Sequence, residues 1–574
     1  MKYLLTYFKK FKLESILAPL FKMLEAGFDL IVPLVVANMI DIGIRSHDTK
    51  YILTRFGILI AMALLGLACS FTAQYFAAKA ATGSAKGLRH ELLAKIQSLS
   101  FTEMDTIGTS TLITRMTSDI NQVQNGLNMF LRLFMRSPFI VFGSMIMAFT
   151  INTQLALIFL AAIVVLFIIV FGVMLLSNPM YKKVQGKLDA VTEATRENLN
   201  GVRVIRAFGR EKTQIERFAA ANDTLLRSQL RVGHVVSIMN PLTYVVVNGV
   251  IILILWLGSQ KINAGLMLSG DVVALINYIS QILVELVKLA NLVAVLGRAV
   301  ASMGRIGQVL DTPSSMSFAG RAAGGASDVA VQFDHVSLRY AGAGAESLTD
   351  ITFTATRGQT IGIIGGTGSG KSSLVHMIAR FYDATQGRVY LNGQPIADYA
   401  REALPRTVAL VDQKPLLFAG TIRSNLLWAN PDATDEQLWQ ALELAQAADF
   451  VRQKPHGLDE KVEQGGANFS GGQKQRLTIA RALLSRADVL ILDDSSSALD
   501  YATDAALRQA LKTLPASTTV FMVSQRAGSI AHADQILVLD DGRLVGHGQH
   551  QELLQSCPVY REIYESQFKE ESLS

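Results

Sequence analysis

Two long stretches without a charged residue constrain what this chain of 574 residues can fold into. Leu155–Met180 and Val235–Gln260 contain no Asp, Glu, Lys or Arg. A helix crosses the hydrocarbon core of a bilayer with about 20 apolar residues, and inside a membrane only helices and closed barrels satisfy their backbone polar groups. Because both stretches are long and continuously apolar, we predict that each forms a membrane-spanning helix.

Four weaker apolar stretches raise the predicted number of spans to six. They are Ile16–Ile40, Phe56–Ala78, Ser137–Asn152 and Val272–Leu296. The composition agrees with this number, since 50% of the residues are hydrophobic and the mean hydropathy is +0.31. We therefore predict an all-α membrane domain, embedded in a lipid bilayer, in the N-terminal half of the chain.

The distribution of positive charge predicts the orientation of the spans. Several lysines precede the first span, and the long connections 79–136 and 181–234 are rich in Lys and Arg. The opposite connections, near 41–50, 151–154 and 258–270, are short. The positive-inside bias then places both termini in the cytoplasm. Because this topology accounts for the net charge of +6, we expect no nucleic-acid partner.

A glycine-rich pattern in the C-terminal half fits a phosphate-binding loop. Together with the serine that follows it, the pattern comprises Gly365, Gly366, Thr367, Gly368, Ser369, Gly370, Lys371, Ser372 and Ser373. In such a loop the glycines let backbone N–H groups turn towards an anion, and Lys371 reaches the terminal phosphates. The Ser372 hydroxyl can bind Mg²⁺. The pattern therefore predicts that the chain binds ATP together with Mg²⁺.

Two further motifs follow this loop along the chain. Val489–Asp493 is almost entirely hydrophobic, which is typical of a buried parallel strand, and it ends in a carboxylate that can hold a metal ion. The other motif follows Phe469 and consists of Ser470, Gly471, Gly472 and Gln473. The ordered set resembles the nucleotide-binding domain of ATP-binding cassette (ABC) proteins, which is an α/β P-loop NTPase domain.

The resemblance implies roles for further residues. Tyr340 stands where the family stacks an aromatic ring on adenine, and Asp500 belongs to a stretch similar to the family's D-loop. Gln413 matches the glutamine that contacts Mg²⁺, so the implied metal-binding residues are Ser372, Gln413 and Asp493. The implied activity is ATP hydrolysis coupled to transport.

The resemblance also implies a domain organisation. Residues 1–311 are predicted to form a six-span membrane domain like that of type IV ABC exporters, 312–328 a linker, and 329–574 the nucleotide-binding domain. In such exporters the membrane helices continue into the cytoplasm and turn through short coupling helices. Thr106–Arg115 and Gly201–Glu211 resemble these two coupling regions.

Two residues depart from the family pattern. Asp494 stands where the family has the catalytic glutamate, and Gln525 stands where it has the switch histidine. Aspartate is one methylene shorter, and a misplacement of about 1 Å can cost ~10²-fold in rate. Glutamine cannot carry the positive charge that imidazole can carry near neutral pH. We therefore predict that this chain binds ATP well and hydrolyses it slowly.

The signature motif Ser470–Gln473, in contrast, is intact. Cassette domains work as head-to-tail dimers in which each ATP lies between the P-loop of one chain and the signature of the other. The sequence therefore favours a heterodimer with a second half-transporter subunit that supplies the competent glutamate and histidine. A slow homodimer is the alternative.

The spans leave more than one interpretation of the cargo open. Lys22 with Glu25, and Glu285 with Lys288, are three residues apart on one helical face, so they can either pair or contact a substrate. Met and Phe residues in the spans suit small amphiphilic compounds, as in multidrug exporters, in a bacterial cell membrane. An exporter of a dedicated lipid, peptide or thiol compound is the main alternative, and a non-transporting ATP-binding regulator is another.

Overall fold

The architecture is that of a computed structural model, which describes residues Thr6, 9–318, Gly320 and 327–571. The side chains of the last helix are described as far as Gln567. Residue Ala319 and residues 321–326 of the predicted linker lie outside the described residues. The chain divides into two compact units, namely residues 1–97 with 110–311, and residues 98–109 with 312–574.

The first unit is built from long helices. The helices before residue 312 are α1 (Lys12–Asn38), α2 (Thr49–Ser98), α3 (Phe101–Ile107), α4 (Thr109–Thr114), α5 (Ile120–Leu133), α6 (Arg136–Ile151), α7 (Thr153–Asn200), α8 (Val202–Ala207), α9 (Glu211–Ser237), α10 (Met239–Asn263) and α11 (Ser269–Asp311). Helix α3 belongs to the second unit, together with the last residue of α2 and the first residue of α4, and the other helices belong to the first unit. Two π-helical turns, Met39–Ile44 and Arg115–Asp119, continue α1 and α4.

Six helical segments among the described residues are long and apolar enough to cross a membrane, which confirms the six predicted spans. They are Lys12–Ile44, Thr49–Ser98, Thr109–Ile151, Thr153–Asn200, Glu211–Asn263 and Ser269–Asp311. Between the third and fourth spans, the Asn152 side chain accepts hydrogen bonds from the N–H groups of Gln154 (3.1 Å) and Leu155 (3.2 Å). This N-cap satisfies the free donors at the start of α7 and explains how the chain turns within so few residues.

Six charged side chains of the spans form a network of ion pairs. Three cations and three anions take part: Lys22, Glu25, Asp29, Arg136, Glu285 and Lys288. Arg136 contacts Asp29 at 2.9 Å and also bonds to Glu285, which is almost fully buried. Because an unpaired charge at membrane depth is costly, this network stabilises the packing of α1, α6 and α11.

The second unit is a mixed α/β structure. Its strands are β1 (Val329–Leu338), β2 (Leu348–Thr356), β3 (Thr360–Gly365), β4 (Gln386–Leu391), β5 (Gln394–Pro395), β6 (Val408–Val411), β7 (Gly420–Thr421), β8 (Lys461–Val462), β9 (Val489–Asp493), β10 (Thr519–Val523), β11 (Gln535–Asp540) and β12 (Arg543–Gly548). Its helices after residue 312 are α12 (Lys371–Ile378), α13 (Leu404–Thr407), α14 (Ile422–Leu426), α15 (Asp435–Leu444), α16 (Ala448–Arg452), α17 (Gly471–Leu484), α18 (Tyr501–Leu511), α19 (Ala527–Ile530), α20 (His550–Ser556) and α21 (Pro558–Glu571).

The six-stranded sheet at the centre of this unit has the order β12-β11-β3-β10-β9-β6. All neighbouring pairs are parallel except β11 with β12. Every residue of β9 is buried, as expected for a parallel strand that is covered on both faces. A second, antiparallel sheet has the order β2-β1-β4-β5. The structure therefore has the predicted fold class, which is an all-α domain with six spans followed by an α/β domain.

Candidate nucleotide-binding site

The glycine-rich loop connects β3 to α12, at the carboxyl end of the parallel sheet. A Cβ atom at Gly365 would lie 2.0 Å from the Leu539 carbonyl oxygen. Gly370 adopts a φ of 94°, in the left-handed region that favours glycine. Both positions require glycine. At Gly365 a Cβ atom would clash with the neighbouring strand, and at Gly370 the left-handed backbone would be strained in most other residues. The first residues of α12 line an open cleft. A helix N-terminus that faces a cleft in this way can bind phosphate through its backbone N–H groups.

The Lys371 side chain lies along this loop and is mostly buried. Its Nζ atom donates to the carbonyl oxygens of Gly365 (3.0 Å) and Gly366 (2.6 Å). Burial lowers the pKa of Lys371, and the nearby carboxylates of Asp494 and Asp493 oppose this effect. The ammonium group is therefore held beside the two aspartates at the carboxyl end of β9.

Asp493 ends β9 with a carboxylate that is suited to a metal ion. Its side chain is buried, and its Oδ1 atom has no hydrogen-bond partner among the described residues. Burial raises the pKa of Asp493, while a hydrogen bond from Ser372 lowers it. A buried oxygen without a partner is unfavourable unless it gains one. A hydroxyl and a single carboxylate beside phosphate oxygens are the donor set that Mg²⁺ prefers, so the predicted ligands Ser372 and Asp493 fit that ion.

Asp494 occupies a strained position between two glutamines. Its φ of 43° lies in the left-handed region, which aspartate tolerates better than most residues do. The amide groups of Gln413 and Gln525 both donate to its Oδ2 atom at 3.2 Å. Burial raises the pKa of Asp494, whereas the hydrogen bond from Gln413 and the charge of Lys371 lower it. The two departures from the family pattern are therefore in direct contact.

These residues share one cleft of about 480 Å³. Among the predicted site residues, those that line it are Thr367, Gly368, Ser369, Gly370, Lys371, Ser372, Ser373, Gln413, Asp493, Asp494 and Gln525. The predicted site residues that do not line this cleft are Tyr340, Gly365, Gly366, the motif Ser470–Gln473 and Asp500. The structure thus brings the P-loop and the residues around Asp494 together and leaves the motif that begins at Ser470 elsewhere on the same unit.

Tyr340 follows β1 at one side of the P-loop. Its hydroxyl lies 2.9 Å from the Ser373 Oγ atom, and its ring meets that of Tyr382 edge to face, with centroids 4.9 Å apart. Burial raises the pKa of Tyr340. Because β1 ends at Leu338, Tyr340 lies in the loop after that strand.

The short helix α3 packs within the same unit. Phe101 stacks on Phe381 with a centroid distance of 4.4 Å, and the Tyr382 hydroxyl donates to Asp105 at 2.6 Å. Burial and the hydrogen bond to Asp105 raise the pKa of Tyr382. Only the end of α3 overlaps the predicted coupling region Thr106–Arg115. Helix α3 begins after the capping box formed by Ser100 and Glu103, a helix-start signal that the sequence contains.

The signature motif forms the start of α17. Ser470 caps this helix, because its Oγ atom accepts from the Gln473 N–H at 3.3 Å, and the Gln473 side chain accepts from the Ser470 N–H at 3.1 Å. A Cβ atom at Gly472 would approach the Ala498 carbonyl oxygen to 3.0 Å. Asp500 caps α18 in the same way, accepting from the Thr503 N–H at 2.8 Å. The Ser470 cap is uncharged and leaves the start of α17 available to an anion, whereas the Asp500 carboxylate itself occupies the start of α18.

Comparison with known protein families gives two matches. Residues 15–286 match the ABC transporter transmembrane region, and residues 348–497 match the ABC transporter domain. The second match is to an ATPase domain, which confirms the predicted enzyme class. The matched ranges include the spans as far as the middle of α11 and the cleft residues up to Asp494.

Relatives are similar over nearly the whole chain. An uncharacterized ABC transporter ATP-binding protein of Bacillus subtilis is 36% identical over 99% of this chain and 98% of its own length. One of Mycobacterium tuberculosis is 35% identical over 94% of this chain and 93% of its own length. An ATP-dependent lipid A-core flippase of Hahella chejuensis is 30% identical over 97% of both chains.

The solved structure of a bacterial Atm1-family ABC exporter with ATP bound has the same fold. It superposes with a TM-score of 0.79 and covers 98% of each chain, at 22% sequence identity. The predicted fold class, a six-helix exporter-like membrane domain followed by a P-loop nucleotide-binding domain, is thereby confirmed.

Proposed function

Because this chain belongs to the ATP-binding cassette transporter family, as an exporter-type member with one membrane region and one cassette domain, we propose that it is one subunit of a heterodimeric exporter. In this proposal its own P-loop site binds ATP and Mg²⁺ but hydrolyses slowly. Its signature motif completes a competent site on the partner. Both termini lie in the cytoplasm of a bacterial cell, where ATP is available.

The contact of Gln413 and Gln525 with Asp494 is the observation that carries this proposal. A general base must reach the water that attacks the terminal phosphate. Here both glutamine amides donate to one oxygen of a shortened carboxylate, 3.2 Å away in each case. Neither amide can carry a proton in place of the family's histidine. Phosphate binding does not require these changes to be reversed, because Lys371 and the P-loop are in place.

The intact motif at Ser470 supports the second half of the proposal. Its capping box pre-forms the helix N-terminus that faces a phosphate in the family. ATP that binds more tightly to the closed dimer than to the open one shifts the pair towards closure. Hydrolysis at the partner's P-loop then resets the dimer. The slow site of this chain holds ATP longer and favours the closed state.

The paired charges of the spans support an amphiphilic cargo. Glu25, Asp29 and Glu285 all have cationic partners within the protein, so they do not require an ionic substrate to neutralise them. An apolar groove of about 480 Å³ is lined by residues such as Met23 of α1 and Phe142 of α6, two of the helices that these ion pairs join. Met-rich apolar surfaces adapt to cargo of different shapes.

Export of a dedicated lipid is the second candidate function. It is favoured by the 30% identity to proteins named ATP-dependent lipid A-core flippase, which extends over 95–97% of this chain. The same apolar groove could accept acyl chains. Proteoliposomes that contain the purified assembly distinguish the two: multidrug-type export predicts ATP-dependent movement of cationic dyes, whereas lipid export predicts movement of a labelled lipid between leaflets.

The experiment that tests the central proposal measures nucleotide at each site separately. The chain is purified with the half-transporter it assembles with, trapped with labelled ATP, and each subunit is analysed for ATP and ADP. We expect mainly ATP on this chain and mainly ADP on its partner. Equal ATP-to-ADP ratios on both subunits, or vigorous transport by this chain alone, would contradict the proposal.

A further inference from the structure

Helix α21 is attached to the loop that carries Gln525. The Gln567 side chain donates from Nε2 to the Gln525 carbonyl oxygen at 2.7 Å and accepts through Oε1 from the Ala527 N–H at 2.8 Å. A primary amide presents a donor and an acceptor side by side, so it pairs with these backbone groups as a neighbouring strand would. We call this pair of bonds the Gln567 clamp.

Among the described residues, other contacts of this loop include three backbone hydrogen bonds and the packing of Arg526 on the Tyr501 ring. The Ser524 N–H donates to the Ile363 carbonyl oxygen at 3.1 Å, and the Arg526 N–H donates to the Ser524 hydroxyl at 2.9 Å. The Gln525 side chain is exposed in the cleft. Ala527 begins α19, and the first N–H groups of a helix have no partner within it. The Gln567 clamp therefore fixes both the backbone of the switch residue and the start of the next helix.

Helix α21 is itself anchored in the core under the P-loop. Tyr560 is fully buried, and its hydroxyl lies 2.7 Å from the His550 Nδ1 atom. It belongs to an apolar cluster that also contains Ile364 and Ala527. Since Ile364 immediately precedes Gly365, the helix rests on the strand that presents the phosphate-binding loop. The position of Gln525 relative to that loop is thus set in part through α21.

We propose that Gln567 is a positioning residue of the nucleotide site. By holding the backbone of Gln525, it keeps the side-chain amide of that residue beside Asp494 and directed into the cleft where a terminal phosphate would lie. The inference rests on the proposed function in that it takes this cleft to be the ATP site. It adds that α21, which lies outside all of the family's motifs, determines how firmly this chain retains ATP.

The change Gln567→Ala tests the clamp in the full chain, assembled with its partner. Without nucleotide, hydrogen exchange of the Ala527 amide should become at least about fivefold faster, since a net hydrogen bond is worth about that factor. Exchange in strand β10 should stay unchanged. Binding of a fluorescent ATP analogue to this chain should weaken by about threefold to tenfold, because the switch side chain is no longer held in place.

Two further variants separate positioning from general packing. Glu562→Gln, at an exposed position on the same helix, should behave like the wild type in both measurements. Gln567→Glu keeps an acceptor for the Ala527 N–H but places a carboxylate oxygen against the Gln525 carbonyl oxygen. In that variant Ala527 should still exchange slowly while ATP binding weakens, and this combination is not expected from simple loss of helix packing.

The results that overturn the proposal are distinct. If Gln567→Ala matches Glu562→Gln in both the Ala527 exchange rate and ATP affinity, or if exchange accelerates throughout the domain, Gln567 does not position the switch loop. A failure of the proposed function is recognised separately, because the wild-type assembly would then show equal ATP-to-ADP ratios on both subunits. The exchange measurement needs no nucleotide and remains decisive for the clamp.

Discussion

Asp494 combines a shortened reach with a buried charge. Its side chain is only 7% exposed and its backbone is left-handed, yet it borders the same cleft as Lys371. Burial is the largest influence on its pKa and raises it. The charged form is therefore held at a cost to the folded domain, partly offset by the amides of Gln413 and Gln525. Two predictions follow from this balance at the scale of single residues.

The first residue-scale prediction concerns how the stability of the folded domain depends on pH. Because the folded-state pKa of Asp494 is raised above its unfolded value of about 4, the proton stabilises the folded state at pH values below the unfolded pKa. That stabilisation is lost as the pH rises through the folded pKa. Asp494→Asn carries no charge at any pH, so its melting temperature should exceed that of the wild type at pH 8. The difference should shrink as the pH falls through the raised pKa towards the unfolded value of about 4.

Asp541→Asn is the matched control for this measurement, since Asp541 is exposed and has a similar φ of 44°. Thermal unfolding of both variants from about pH 4, the unfolded pKa, to pH 8 in the same detergent would give the comparison. A constant difference between Asp494→Asn and the wild type across that range would show that burial of the charge is not the cause.

The second residue-scale prediction restores the family's catalytic pair. Asp494→Glu with Gln525→His should return a carboxylate that reaches the attacking water and an imidazole that can carry a proton. Since a displacement of about 1 Å can cost ~10²-fold in rate, ADP formation on this chain should rise by at least about tenfold. Trapped ADP on this subunit is the measurement. An unchanged ADP fraction, with ATP affinity intact, would place the defect elsewhere.

At the scale of elements, an ion pair with a buried carboxylate, which we call the ionic tie, joins α11 to the π-helical turn before α5. Asp119, in the π-helical turn after α4, is 2% exposed and accepts from Arg115 at 2.9 Å and from the Nε atom of Arg305 at 3.1 Å. Arg305 lies six residues before the end of α11. The helices α5 and α11 are therefore held together near the points where the chain passes between the units.

We predict that Asp119→Asn loosens this tie. Removing a buried partner costs about 3 kcal/mol, but Arg305 is half-exposed, so a loss on the order of 1 kcal/mol is expected. The melting temperature should fall, and cargo-stimulated ATPase activity should fall more than basal activity. Glu197→Gln is the control, because the Glu197–Arg217 pair of 3.2 Å is fully at the surface. Equal effects of both substitutions would contradict the prediction.

The sequence predicts those elements that are determined by local composition and by the spacing of residues along the chain. Uncharged runs such as Leu155–Met180 predict spans because a membrane selects for length and apolarity alone. The pairs of Lys22 with Glu25 and of Glu285 with Lys288 follow from helical spacing, and the structure confirms both. Arg136, which joins these pairs, was not predicted, because its partner Glu285 is 149 residues away.

Contacts in the candidate site show the same limit. The P-loop residues follow from their pattern, since the glycine positions are dictated by local backbone geometry. The bond between Tyr382 and Asp105 spans 277 residues, and that between Gln567 and Ala527 spans 40. Neither pair has a spacing that a helix or strand would reveal. They depend on how the sheet and α21 pack, which only the folded structure provides.

At the scale of the whole molecule, the proposal assigns unequal tasks to the two ends of one cassette domain. The cleft at Lys371 would serve mainly to hold ATP, whereas the motif at Ser470 would act on the partner's nucleotide. A homodimer would make these tasks equivalent, since each site would contain one copy of both. The heterodimer and the homodimer therefore differ in how total ATPase turnover responds to a substitution in the cleft and to one in the motif.

This difference gives the last prediction. In the heterodimer, Asp494→Asn in this chain should change total ATPase turnover by less than about twofold, because little hydrolysis occurs there. Ser470→Ala should lower turnover by at least about tenfold, because it removes a hydrogen-bond donor from the partner's catalytic site. Since Ser470 also caps α17, the variant is compared with Thr434→Ala, which removes a similar cap from α15 at a cost of about 1 kcal/mol. Turnover that falls equally with Asp494→Asn and Ser470→Ala would indicate two equivalent sites and hence a homodimer. A large loss with Thr434→Ala would show that helix capping, rather than contact with the partner's nucleotide, explains the effect of Ser470→Ala.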